Sequence, residues 1–161
     1  MTAWQLKWAE HKYWVMAHSQ QLYNQIRVLA KNNDWSDETT DTFENLLQEA
    51  ALQVPTRKTL TTAYEHVWGY FKKIATPEEK NDYLRRLAVL EVDNDQLGSF
   101  LKNLTLKYQV TYLMHSRLIR EIQEEQEKNE TLARKVAKSV TTATTIRTTP
   151  RNGSTKGQGL G

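Results

Sequence analysis

The stretch PTRKTLTTAYEHVWGYFKKIA, residues Pro55–Ala75, decides the fold. Leu60, Ala63, Tyr64, Val67, Trp68 and Phe71 recur at i, i+3, i+4, i+7, i+8 and i+11, the pattern of a helix buried along one side. Thr62, His66, Tyr70 and Lys73 fall on a second, more polar side, where a functional face is expected.

The same period extends in both directions. Upstream, Trp4, Trp8, His11, Val15 and His18 form one stripe of a first helix over residues 2–17. Ser19 reads as the N-cap of a second helix carrying Leu22, Ile26, Leu29 and Ala30, with a kink near His18. Ser36 or Asp37 caps a third, with Phe43, Leu46, Leu47, Ala50 and Ala51 facing inward, and Pro55 ends it because the residue before proline resists the α conformation. Downstream, Thr76-Pro77-Glu78-Glu79 sets a capping threonine, a first-turn proline and a reciprocal glutamate in order, opening a fifth helix with Tyr83, Leu84 and Leu87 that stops near Asp93. A sixth begins near Asp95 and buries Leu97, Phe100, Leu101, Leu104, Tyr108 and Tyr112 before running on through His115 and Ile122.

These elements predict an all-α chain, a single compact bundle of about six helices over residues 1–120. A charged exposed helix follows over 121–140, where Glu124 with Lys128 and Glu130 with Arg134 have i, i+4 spacing. Residues 141–161, rich in threonine, glycine and bases, have no apolar period and are expected to be a disordered basic tail. Of the 22 Lys and Arg residues six follow Glu130, with no acid after it, so the body up to Glu130 carries net −3 and the remainder of the chain +6. A mildly acidic body argues against a binder that uses its whole surface for nucleic acid.

The chain has no cysteine, which excludes disulfides, iron–sulfur clusters, thiolate zinc sites and cysteine nucleophiles. No Gly-x-Ser-x-Gly elbow, phosphate loop or dinucleotide fingerprint occurs, so no catalytic residue is assigned. The start of the chain has no signal-peptide apolar run, and no stretch approaches a membrane span, so a cytoplasmic location is expected. His11 and His18, seven residues apart, are separated by about 10.5 Å on a continuous helix, too far for the usual helical metal pair, and no metal or other cofactor is assigned. Arg57 and Lys58 open the fourth helix, and Lys72 and Lys73 close it beside Tyr70 and Phe71. Basic and aromatic residues so interleaved can hold phosphates and stack bases, although terminal lysines also complement the helix dipole.

The run His11-Lys12-Tyr13-Trp14-Val15-Met16-Ala17-His18-Ser19, followed by Tyr23 and Val28-Leu29-Ala30, resembles the opening of the YbgA-like family of bacterial helical domains. His66-Val67-Trp68-Gly69-Tyr70-Phe71-Lys72-Lys73, followed by Glu79-Lys80, resembles that family's central His-x-x-Gly-Tyr-Phe-Lys signature. The matches span roughly Trp4 to Tyr112; beyond Asp93 the fit weakens. The resemblance implies a module found alone or fused behind a cysteine-rich domain similar to thiouracil desulfidases, whose reaction concerns 4-thiouridine in transfer RNA. Such desulfidases hold an iron–sulfur cluster, which this chain, without cysteine, cannot, so what carries over is binding: a noncatalytic accessory domain for RNA or transfer RNA, with a desulfidase-type protein as partner. The residues carried over as candidate binders are His11, Lys12, His18, His66, Tyr70, Lys72 and Lys73. Gly69 is expected to permit close helix approach, and Phe71 to pack in the core. Two alternatives remain, a protein-interaction or stress-associated scaffold that docks through residues 121–138, and a histidine-based metal-dependent enzyme.

Overall fold

The computed structural model describes residues 2–31 and 35–147, with side chains through residue 143. Eight helices occur among them: α1 (Ala3–His18), α2 (Gln20–Lys31), α3 (Asp37–Leu52), α4 (Arg57–Trp68), α5 (Pro77–Ala88), α6 (Gln96–Lys107), α7 (Thr111–Met114) and α8 (Arg117–Arg147). The chain divides into two compact units, Met1–Glu125 and Gln126–Gly161. No described helix is long and apolar enough to cross a membrane.

The first unit is built around α1. Tyr13, Trp14, Val15, Met16 and Ala17 are buried consecutively, so this part of the helix is covered on every side, by α2, α3 and α4. The expected single stripe therefore understates it. Trp4 and Trp8 are half-buried, Trp4 stacking on Trp35 at 3.8 Å and Trp8 meeting Phe43 edge-on at 6.3 Å. Truncating Met16 to Ala would leave a central cavity, costing about 2–5 kcal/mol. Ser19 breaks the helix in extended backbone (φ −160°, ψ 117°), and its Oγ accepts from Leu22 N at 3.1 Å. The kink and the cap both stand where the sequence puts them.

α3 buries Phe43, Leu47 and Ala50, while Ala51 is exposed. α5 begins with the expected capping box, in which Thr76 Oγ1 accepts from Glu79 N and Glu79 Oε1 accepts from Thr76 N. It ends at Ala88, earlier than expected, and of its three expected core residues Tyr83 is fully buried, Leu87 partly buried and Leu84 exposed. Leu90 continues the core beyond it, its carbonyl accepting from Arg57 Nε at 2.9 Å.

Two expected helices are interrupted. α4 ends at Trp68, where the backbone tightens into successive turns with Tyr70 N on Val67 O and Phe71 N on Trp68 O. Phe71 is thereby driven into the core, as expected, with Tyr70 and Lys72 directed outward. Gly69 stays right-handed (φ −52°). The atoms nearest to a Cβ there are the carbonyl oxygens of His66 at 3.1 Å and Glu65 at 3.8 Å, so its close neighbour is its own turn and not another helix.

The long sixth helix breaks at Gln109, whose φ of 52° is left-handed. Val110 N donates to Thr105 O and Gln109 N to Leu106 O, the paired bonds of a Schellman motif. The chain turns there into α7 and then α8. Tyr112, expected in the core, is consequently 41% exposed.

The second unit begins within α8 at Gln126, and its described side chains beyond that residue are exposed, Leu132, Val136 and Val140 among them. The helix reaches Arg147, into the segment expected to be disordered, with Thr141 and Thr142 hydroxyls bonding back to Ala137 O and Lys138 O. Residues 148–161 of that segment lie outside the described residues.

Candidate nucleic-acid interface

Since α1 packs directly on α4, the outer end of their contact brings together residues far apart in sequence. Tyr13 hydroxyl meets Tyr70 hydroxyl at 3.0 Å, and the two rings are edge-to-face at 6.3 Å. Tyr112, delivered by α7, stacks on Tyr70 with centroids 5.9 Å apart and planes 17° from parallel. It also stands edge-on to Tyr13 at 6.5 Å, and its hydroxyl donates to Ala9 O at 3.4 Å. Tyr13 is buried, whereas Tyr70 and Tyr112 are 39% and 41% exposed. The result is a pair of half-open aromatic rings held by a buried third. Burial first, and then the bond to Tyr70, pushes the Tyr13 phenol above its ordinary range; burial, followed by Tyr70, does the same to Tyr112.

Two of the expected binders border this cluster. Lys12 Nζ lies 5.7 Å from the Tyr13 ring centroid, and the exposed His66 ring lies 6.4 Å from the same ring. Tyr70 itself was expected. Tyr13 and Tyr112 are not among the sequence-derived binders: Tyr13 lies within the first motif, but only the pairing of α1 with α4 shows what it touches.

His11 and His18 belong elsewhere. Positions 11, 14 and 18 share one face of α1, on the far side from 9 and 13, and both histidines gather around Trp14. The His18 ring is 4.4 Å from Trp14 and the His11 ring 6.1 Å, edge-on. Trp14 also carries the Arg117 guanidinium over its ring at 3.7 Å and donates through Nε1 to Glu121 Oε2 at 3.1 Å. Arg117 Nε donates to the other Glu121 oxygen at 2.9 Å, closing the arrangement. Each imidazole is fixed through Nδ1, His11 on Lys7 O at 2.8 Å and His18 on Gln53 O at 2.7 Å. Burial lowers the His11 pKa, against the bond to Lys7 O, and the Arg117 charge lowers it further. His115 caps α7 and is exposed. Among the described residues no three His, Asp or Glu side chains are placed to hold a metal ion.

Lys72 and Lys73 are exposed beyond the turn that carries Tyr70. Lys72 lines a separate cleft between α4 and α5. The seven expected binders are thus divided among a tyrosine cluster, a Trp14 cluster and a lysine-bearing surface.

Comparison with curated proteins gives no match. Comparison with solved structures also gives none. A family model does match residues 12–122, the tyrosine cluster, α7 and the start of α8 included, so the region beyond Asp93, where the sequence resemblance weakens, lies within the match. That span covers more than half of the chain, which therefore belongs to the family described as "Protein of unknown function (DUF1722)".

Proposed function

We propose that the helical body is a noncatalytic RNA-binding module, with transfer RNA as its ligand. The observation that carries this reading is the stacked, half-exposed Tyr70–Tyr112 pair braced by Tyr13. Rings already held in place lose little freedom when a base stacks on them, and such stacking contributes about 1–3 kcal/mol per base. Lys12 and His66 at its border supply a cation and a polar group. The sequence resemblance to the YbgA-like family supports the same reading and points to a desulfidase-type, cysteine-rich protein as partner. The chain's own part is then to hold the RNA while the cluster-bearing partner does the chemistry, in keeping with its lack of cysteine.

Filter binding of bulk transfer RNA to the full chain, at low and physiological salt, tests the proposal. Replacing both tyrosines, Tyr70→Ala with Tyr112→Ala, should weaken binding by about tenfold or more at both salts, while Phe at both positions keeps most of the affinity. Substituting Lys72→Ala and Lys73→Ala should weaken binding evenly across RNA sequences and flatten its salt dependence. Equal binding by the double-Ala tyrosine variant and the parent chain would overturn the proposal.

A further inference from the structure

Between α4 and α5 the protein has a cleft of about 480 Å³, within the size range of small-molecule sites. Its floor is the stacked pair Trp68 and Tyr83, 4.2 Å apart and within 5° of parallel, one ring from each helix. Both residues are buried, so only their margins reach the cleft. Leu84, 61% exposed, and the partly buried Leu87 form an apolar wall on the α5 side.

The polar groups are arranged unevenly. Lys72 and Lys80 stand at the lining as exposed ammonium groups with no ion-pair partner among the described residues. Glu79, next to Lys80 in sequence, is committed to Lys107, Tyr108 and the α5 cap. Glu65 is the acid of the lining. A purely aliphatic anion would satisfy the lysines and the leucines but give the exposed Glu65 carboxylate no donor in return for the water it displaces. A flat body bearing N–H donors gives Glu65 a partner, lies against the aromatic and leucine surfaces, and leaves its anionic end to the two lysines.

We infer that the α4–α5 cleft binds a nucleoside monophosphate, with its phosphate between Lys72 and Lys80 and its base against Trp68, Tyr83 and Leu84, one base N–H donating to Glu65. The site is separate from the Tyr70–Tyr112 pair, which is not among its lining residues. It shares Lys72 with the RNA reading but none of the tyrosines, so it adds a small-molecule function that stands or falls by Lys80 and Leu84 and not by the tyrosine pair.

Isothermal titration of the full chain with adenosine monophosphate, adenosine and inorganic phosphate tests the inference. Saturable sub-millimolar binding of the nucleotide is expected, with each fragment alone at least ~10-fold weaker, since charged hydrogen bonds and base packing act together. Lys80→Ala and Leu84→Glu change exposed side chains and should keep the fold, checked by circular dichroism, while each weakens the nucleotide at least ~10-fold, the first by removing a phosphate donor and the second by setting a carboxylate where the anion docks. Tyr70→Ala with Tyr112→Ala should leave nucleotide affinity unchanged. Absence of saturable binding, indifference to both cleft substitutions, or loss in the tyrosine variant would each overturn the inference.

Discussion

The phenolic oxygens of Tyr13 and Tyr70 lie 3.0 Å apart and tie the middle of α1 to the turn that follows α4. Tyr70→Phe removes this bond, leaves the hydroxyl of the buried Tyr13 without that partner, and keeps the ring that stacks on Tyr112. A loss of about 1 kcal/mol is expected in urea denaturation, with RNA affinity little changed. Unchanged stability would mean that water replaces Tyr70 at no cost.

Gly98, and not Gly69, is the glycine that permits a close approach between helices. A Cβ at Gly98 would lie 2.7 Å from Tyr64 Oη and 2.9 Å from Asp95 Oδ2, the two atoms whose hydrogen bond joins α4 to the cap of α6. Alanine favours helix by about 1 kcal/mol over glycine, but overpacking typically costs about 1–3 kcal/mol, and here it also displaces a buried phenol from a carboxylate. Gly98→Ala should therefore lower the melting temperature. An unchanged or higher value would show that the pair can shift at little cost.

At Gln109 the opposite substitution should help. Its φ of 52° costs a residue with a Cβ about 1–2 kcal/mol, and the Schellman bonds around it need only backbone atoms. After the greater unfolded-state entropy of glycine is subtracted, Gln109→Gly should stabilise the chain by about 0.5–1 kcal/mol, as measured by thermal melting.

Glu79 sets an acid limit. Burial works against its ionised form, but hydrogen bonds from Tyr108, the Thr76 backbone and Lys107 outweigh it and hold the carboxyl down at about 2 from an ordinary 4.5. A carboxylate with a depressed folded-state pKa contributes stability that is fully present above the unfolded value and lost as pH falls through the folded one. Melting temperature should thus include a decline between pH of about 4.5 and about 2 that Glu79→Gln removes, the variant being less stable at pH 7. An identical decline in both proteins would place the acid sensitivity elsewhere.

The sequence by itself determined that this chain is helical and where several helices begin. The capping box at Thr76 and Glu79, the serine cap of α2 and the buried Phe71 follow from contacts within a few residues, which spacing records directly. The break at Trp68 escaped it because the apolar period runs past Gly69 to Phe71, and that at Gln109 because the residue there is not one that usually ends a helix. Gly69 is right-handed, and Gln109 occupies a left-handed position without being glycine or asparagine. Only the tertiary structure decided the site. Packing α1 on α4, and turning the chain at Gln109, brings Tyr70 and Tyr112 onto Tyr13 from 57 and 99 positions away in sequence, while positions 11 and 18, on the opposite side of α1 from Tyr13, place His11 and His18 against Trp14. Periodicity specifies which side of a helix is buried, but not which side chains from other helices will meet it, because that depends on distances set only when the helices pack.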